Sequence, residues 1–144
     1  MAYFTKQKFK ISDLARVPKS GPSVLLVISE ESLREIYLRH LLRHNFEVNC
    51  AAFGNPYSIS QYLDEADLLV LDIKNFQEAD RLKFLKALAQ KFPSLPVVTI
   101  GLGLSEAYIK TIMALGVAGH LDRQFSRPED LAQVVKTLFN PPPL

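Results

Sequence analysis

The chain has 144 residues, 48% of them hydrophobic and 22% charged, and its formal net charge is +2. This composition is typical of one soluble globular domain that is large enough to bury a core. No apolar run reaches the roughly 18–20 residues that a membrane span requires, and no signal-peptide core follows the first residues. The single Cys50 excludes an intramolecular disulfide and a cysteine-based zinc site. We therefore expect a cytoplasmic protein in which Cys50, within an apolar run, is a buried and inert thiol.

Basic residues are concentrated at the start of the chain. Residues 1–22 contain five basic and one acidic side chains, a net charge of +4, and the other residues contain 12 basic and 14 acidic side chains, a net charge of −2. The sequence Pro18-Lys19-Ser20-Gly21-Pro22 is typical of a linker. We predict a basic N-terminal extension at 1–22, a domain at 23–140 and a proline-rich tail at 141–144. We expect the extension to be solvated, and nucleic acid to be contacted only through it or through a further output domain.

Five short, apolar and largely β-branched runs predict strands, each followed by a segment with helical periodicity. In chain order the predicted strands are 24–28, 46–52, 67–72, 97–100 and 118–121. The predicted helices are 33–45, 58–65, 81–92, 105–115 and 128–139, with caps at Ser29–Ser32 and Ser105 and stops at Asn45 and Gly116. Five such units predict an α/β protein with a flavodoxin-like parallel sheet, in the strand order 2-1-3-4-5, and helices on both faces.

Carboxylates follow two strands that this order places side by side. Glu30 comes after the first strand, and Asp72 ends the third after four apolar residues. Ligands in open α/β sheets bind at the carboxyl ends of the strands, where the strand order reverses. Two neighbouring carboxylates repel each other unless a cation neutralises them. The residues alone leave two alternatives open: a Mg²⁺ site, to which carboxylate oxygens are suited, and a structural ion pair with Arg123.

Longer motifs surround these carboxylates. Leu68-Leu69-Val70-Leu71 precedes Asp72, Pro96-Val97-Val98-Thr99-Ile100 precedes Gly101, and a fifth unit extends from Gly116 to Phe125. From Val24 to about Asn140, this pattern and its spacing resemble the receiver domain of bacterial two-component response regulators. The resemblance implies a five-stranded receiver sheet whose phosphoacceptor aspartate is Asp72.

The resemblance also implies roles for other residues at the same edge. A histidine kinase would donate its phosphoryl group to Asp72, with Mg²⁺ held by Glu30, Asp72 and the backbone carbonyl of Lys74. Arg123 stands where receivers have a lysine that neutralises the phosphoryl group. His120 takes the aromatic switch position.

Several positions depart from the receiver pattern. Ser29 cannot supply the second acidic charge of the metal site, and Gly101 lacks the hydroxyl that would bond the phosphoryl oxygen. Thr99 lies two residues further down the strand, roughly 6.6 Å away, and is not an evident replacement. Arg123 has a planar, wider cationic group than lysine, so that exchange is not conservative. Gln124 replaces the proline that normally follows.

These features predict a signalling module with an atypical phosphorylation pocket that acts through protein–protein interaction or dimerisation. His120 and Tyr108 would belong to its switch and interface, and a homodimer would use the fourth helix, fifth strand and fifth helix. The partner would be a histidine kinase or another signalling protein. One alternative is a Mg²⁺-dependent domain phosphorylated on Asp72, whose only catalysis would be its own phosphorylation and dephosphorylation. A second is a flavodoxin-like binder of a small ligand at the same edge.

Overall fold

The computed structural model describes residues 22–51, 59, 62–76 and 78–139. Outside the described residues lie 1–21 of the predicted N-terminal extension, residues 58, 60 and 61 of the predicted second helix, and the predicted tail at 141–144. Residues 59, 62 and 63 of the predicted second helix are helical, and 64–65 form a turn. The proposed domain boundaries at 22 and 140 therefore stay predictions.

Five strands form one parallel sheet in the order β2-β1-β3-β4-β5, as predicted. β3 is central, and its register pairs Val27 with Leu71 on one side and Asp72 with Ile100 on the other. All five residues of β3 and of β4 are buried, which is the pattern of strands covered on both faces. The strands are β1 (Ser23–Val27), β2 (Glu47–Ala51), β3 (Leu68–Asp72), β4 (Val97–Gly101) and β5 (Gly119–Asp122).

Four helices are fully delimited among the described residues. They are α1 (Glu31–Arg43), α2 (Glu78–Lys91), α3 (Glu106–Ala114) and α4 (Pro128–Phe139), and a single 3₁₀ turn (Ile73–Asn75) follows β3. The predicted fourth and fifth helices thus correspond to α3 and α4. No helix within the described ranges is both long and apolar enough to cross a bilayer.

The helices cover the sheet on both faces, and the alternation of side chains along β1 shows how. Val24 and Leu26 point into one apolar cluster, which contains Leu41 of α1 and Leu131 of α4. The intervening side chains of β1 point into a second cluster with residues of α2 and α3 on the opposite face, including Leu85, Leu88 and Ile112. Two apolar layers therefore hold the sheet, and polar side chains are left to its ends.

The predicted ends of several helices are confirmed. The Ser105 hydroxyl accepts a hydrogen bond from the backbone N–H of Tyr108 at 3.1 Å and so caps α3. Asn45, with φ of 64°, and Gly116, with φ of 106°, adopt the left-handed conformation after α1 and α3.

Three local predictions are wrong. The N-terminal residue of α1 is capped by Glu30 without a side-chain hydrogen bond, because this carboxylate points toward Arg123 instead. α2 begins at Glu78, before the predicted Arg81, since its first turn is polar and carries no apolar periodicity. Cys50 is exposed because β2 is an edge strand whose outer positions face solvent.

Adjacent leucines on α1 provide a matched test of the packing. The side chain of Leu41 is fully buried against the sheet and α4, whereas that of Leu42 is 51% exposed. We expect Leu41→Ala to lower the free energy of unfolding by about 2–5 kcal/mol, and Leu42→Ala to change it by less than about 0.5 kcal/mol. Urea denaturation followed by circular dichroism measures both. Equal losses in the two variants would contradict this packing.

Candidate functional site

The carboxyl edge of the sheet brings Asp72 next to residues from three other elements. Asp72 ends β3 with only 2% of its surface exposed. Its Oδ1 accepts a hydrogen bond from the backbone N–H of Lys74 at 3.0 Å, and this bond caps the 3₁₀ turn. The Asp72 carboxyl therefore also fixes the loop that follows it.

The electrostatic environment of Asp72 favours its neutral form. Burial raises the pKa of the carboxyl above its ordinary value of 3.8, and the negative charge of Glu30 acts in the same direction. The Lys74 N–H and the positive charges of Arg123 and Lys74 oppose the rise in pKa without cancelling it. The pocket thus holds a carboxyl that is costly to ionise.

Glu30 and Arg123 form an ion pair at the rim of the pocket. The distance from Arg123 Nη1 to Glu30 Oε2 is 3.8 Å, and both side chains are partly exposed. The backbone N–H of Arg123 donates to the Gly101 carbonyl at 2.8 Å, which anchors the start of the Arg123 side chain beside β4. Of the two alternatives left open by the sequence, the geometry shows the ion pair.

This donor set fits Mg²⁺ poorly. A metal between Glu30 and Asp72 would compete with Arg123 for one carboxylate, and Ser29 adds no charge. The described part of the chain contains no group of three or more His, Cys, Asp or Glu side chains that could hold a metal ion. We therefore assign no chemical step to a bound metal.

A cavity of about 210 Å³ opens beside Asp72. It brings together four of the predicted site residues, Asp72, Lys74, Gly101 and Arg123, whereas Glu30, His120 and Tyr108 are not among its lining residues. Its lining consists of Asp72, Ile73, Lys74, Arg81, Gly101, Leu102, Leu104 and Arg123.

Arg81 is a pocket residue that the sequence did not single out. Its Nε donates to the carbonyls of Ile73, at 3.0 Å, and Phe76, at 3.3 Å. The side chain thereby ties α2 to the turn after β3. The sequence places Arg81 near the start of the helix that follows the Asp72 loop, but no motif identifies it as a pocket residue.

Gly101 and His120 are coupled through space. A Cβ added at Gly101 would lie 3.0 Å from Cε1 of His120 and 3.0 Å from Cδ1 of Leu104. The His120 ring therefore fills the space that a larger residue at 101 would need. The missing hydroxyl at 101 and the histidine at 120 belong to one packing arrangement.

Thr99 holds the His120 ring in that place. Its hydroxyl lies 2.7 Å from His120 Nδ1, and Thr99 is fully buried. Burial lowers the pKa of His120 below its ordinary value of 6.5, although the negative charge of Asp122 opposes the shift. Thr99 does not line the cavity beside Asp72, as expected from its position two residues before Gly101. Its hydroxyl contacts His120 of β5 instead.

Tyr108 lies apart from this group, on α3. Its backbone N–H donates a hydrogen bond to the Ser105 hydroxyl, and its ring packs against the apolar cluster beneath α2 and α3. Within the described residues, Tyr108 Oη and His120 Nε2 are buried without a hydrogen-bond partner.

The chain was compared with known proteins. No family model matches. The transcriptional regulatory protein GltR of Pseudomonas aeruginosa is 26% identical over 117 residues, which are 80% of this chain and 48% of GltR. The chain thus spans about half the length of the curated relative it matches.

Solved structures give a stronger likeness. A response regulator from Thermotoga maritima has a TM-score of 0.70 at 19% identity, covering 81% of this chain and 96% of its own. A receiver domain from Clostridium thermocellum has a TM-score of 0.70 at 21% identity, covering 83% and 98%. An orphan response regulator of H. pylori has a TM-score of 0.71 at 14% identity, covering 85% and 100%.

The chain has the receiver fold. The predicted fold class and strand order are confirmed, and the resemblance to receiver domains is confirmed at the level of the fold. The roles that this resemblance implies for Asp72, Glu30, Arg123 and the Lys74 carbonyl stay predictions. In this receiver fold they lie at the same edge of the sheet.

Replacement of the buried carboxyl tests its electrostatics. The pKa of Asp72 is higher in the folded state than its ordinary value of 3.8. Above the folded-state pKa, the ionised carboxyl therefore lowers the free energy of unfolding. Below pH 3.8 the carboxyl is protonated in the folded and in the unfolded state, so this loss of stability disappears. We expect Asp72→Asn to raise the free energy of unfolding at pH 7, with a gain that shrinks as pH falls toward 3.8. Denaturant titrations across this pH range measure the gain. The exposed Asp80→Asn is the control, with a change within about 0.5 kcal/mol; a gain for Asp72→Asn that does not depend on pH would contradict this explanation.

A second variant tests the coupling between Gly101 and His120. Gly101→Ser places new atoms against the His120 ring and Leu104, so we expect it to cost about 1–3 kcal/mol and to displace the ring from Thr99. In a His120→Ala background the same substitution should cost much less. A double-mutant cycle by chemical denaturation measures the coupling, and the imidazole ¹⁵N shifts report the ring. Equal costs in both backgrounds would show that the two residues do not share this space.

Proposed function

We propose that this chain is a signalling module of the receiver type that acts through protein–protein interaction in the cytoplasm and does not depend on phosphorylation of Asp72. The observation that carries the proposal is the placement of His120 over Gly101, where Thr99 holds its ring at 2.7 Å. The part of the chain that matches GltR corresponds to 48% of that protein, so this module is proposed to work within or beside a larger regulatory protein.

The pocket lacks the side chain that would respond to a phosphoryl group on Asp72. A hydroxyl at position 101 would bond a phosphoryl oxygen on Asp72, and its movement would change the space available to residue 120. Gly101 has no such group, and His120 already occupies that space. The ring therefore keeps one position whether or not Asp72 carries a charge, and the surface around β5 is expected to keep one form.

That surface is the proposed interface. The face formed by α3, β5 and α4, which includes His120 and Tyr108, is expected to bind a signalling protein or a second copy of the chain. α3 and α4 pack their buried apolar side chains on the sheet, and their outward side chains are exposed and largely polar. Such a surface suits a regulated contact better than an obligate one.

A second candidate is a phosphoacceptor domain that a histidine kinase phosphorylates on Asp72. It is favoured by the convergence of Asp72, Lys74 and Arg123 on one cavity, because cationic side chains there would neutralise an acyl phosphate. It is disfavoured by the poor metal donor set and by Gly101. A lost hydrogen bond to a charged oxygen costs on the order of 1.5–3 kcal/mol.

Beryllofluoride, a phosphoryl mimic, separates the two candidates. With millimolar Mg²⁺ and beryllofluoride, we expect the amide resonances of Tyr108, His120 and Leu121 to stay unchanged, since no side chain at 101 transmits a change. Two-dimensional ¹H–¹⁵N spectra measure this directly. Shifts at His120 and Tyr108 that Asp72→Asn abolishes would instead support the phosphoacceptor.

The chain can supply its own positive control. The double variant Gly101→Thr/His120→Ala adds a hydroxyl at 101 and removes the ring that crowds this position, and it should respond more strongly than the natural sequence. Sedimentation equilibrium of the natural chain and of Asp72→Asn completes the comparison, and the proposal expects the same state of association for both.

A further inference from the structure

A second cavity, also of about 210 Å³, lies at the opposite edge of the sheet from Asp72. Gly101, the last residue of β4, lines the cavity beside Asp72, whereas Val97, the first residue of β4, lines this one. The buried leucines Leu85 and Leu88 of α2 form part of its wall. The two cavities are therefore separated by the length of a strand.

The wall of this second cavity is apolar. Among the described residues, its lining consists only of Leu, Val, Phe, Met, Ala, Pro and Gly, so its polar groups belong to the backbone. The backbone N–H groups of Phe92, Leu95 and Gly116 already donate to carbonyls three or four residues before them, at 2.7, 3.1 and 3.0 Å. A buried water needs about two to four polar partners, so this cavity holds water weakly.

Two small residues on neighbouring elements keep the cavity open. Gly116, after α3, has φ of 106°, a conformation that other residues rarely adopt. A Cβ added there would lie 3.7 Å from Cβ of Ala89 on α2, so the two elements meet across this pair. Because Ala89 lines the cavity with a single methyl group, a longer side chain at 89 would extend into the empty space.

The volume and the lining together define the class of ligand. An engineered cavity of about 150 Å³ lined by Leu, Ile and Phe stays dry and binds benzene. The present cavity is larger and similarly apolar. A charged group would lose its hydration here and find no side-chain partner. We propose that this cavity binds a small uncharged molecule built on a single hydrocarbon ring.

The N-terminal extension of the chain is a less suitable occupant. Residues 1–22 have a net charge of +4, and the segment 82–105, which supplies much of the wall, contains Lys83, Lys86 and Lys91 and no acidic residue. Like charges disfavour that contact. An uncharged ring avoids this repulsion, and its binding does not depend on the signalling role or on the state of Asp72.

The test is a titration of the full chain with toluene, followed by ¹H–¹⁵N and methyl ¹H–¹³C spectra. We expect saturable shifts at the amides of Ala89 and Gly116 and at the Met113 methyl group, with Lys74 at the other edge of the sheet unchanged. Benzoate has the same ring and carries a charge, so it is the matched control ligand. It should cause no saturable shift at these positions.

Two alanines on α2 provide matched variants. Ala89→Leu fills the cavity and should weaken toluene binding by more than about tenfold, because the new side chain takes the space of the ligand. Ala87→Leu adds the same atoms on the exposed side of α2 and should leave binding unchanged. Urea denaturation checks that each variant is folded. If Ala89→Leu does not fold, Ala89→Met, whose flexible side chain fills the cavity with less strain, takes its place.

Four results would overturn the proposal. They are a linear drift without saturation up to the solubility of toluene, equal saturation by benzoate, equal binding by the folded Ala89 variant and the natural chain, and shifts in residues 1–21 that accompany those at Gly116. The last result would identify the extension as the occupant that toluene displaces.

Discussion

The burial of β3 on both faces is the constraint on which the rest of this structure depends. All five of its residues are inaccessible or nearly so, and its neighbours β1 and β4 pair with it along almost their full length. A strand in that position has no surface for polar groups except at its ends. Asp72 is the last residue of β3, so its carboxyl lies at the boundary between the apolar layers and solvent.

This position explains two properties of Asp72. The carboxyl is close enough to the core for burial to raise its pKa, and close enough to the edge to meet Lys74 and Arg123. The same bond that satisfies one carboxylate oxygen also shapes the turn after the strand. The local structure of the turn and the electrostatic cost of ionisation therefore depend on one side chain, and a change at Asp72 alters both.

The sequence predicted the fold well because the fold is encoded redundantly. The apolar runs at 24–28 and 67–72, the Ser105 cap and the left-handed Asn45 each point to the same α/β arrangement, and all were confirmed. Errors fell where a single local signal stood alone. The exposure of Cys50 follows from the position of β2 at the edge of the sheet, which composition cannot show.

The candidate site was predicted less completely, because its key contacts join residues that are distant in sequence. Strand order was enough to place Glu30 and Asp72 at one edge, and the family resemblance added Arg123. Nothing in the sequence connects Thr99 with His120, which are 21 positions apart, or indicates that Arg81 ties α2 to the Asp72 loop. Such contacts depend on the register between neighbouring strands and on the rotamers of the side chains, which the sequence pattern does not specify.

The departures from the receiver pattern are physically linked. Without a side chain at 101, the His120 ring can approach the β4 backbone, and there its Nδ1 meets the Thr99 hydroxyl. A side chain added at 101 alone would crowd that ring, so changes at 101 and at 120 are not independent of each other. Likewise, Arg123 in place of lysine reaches Glu30 and takes up a carboxylate that a metal would need. The His120–Thr99 contact and the Glu30–Arg123 ion pair thus each depend on a position at which this chain differs from the receiver pattern.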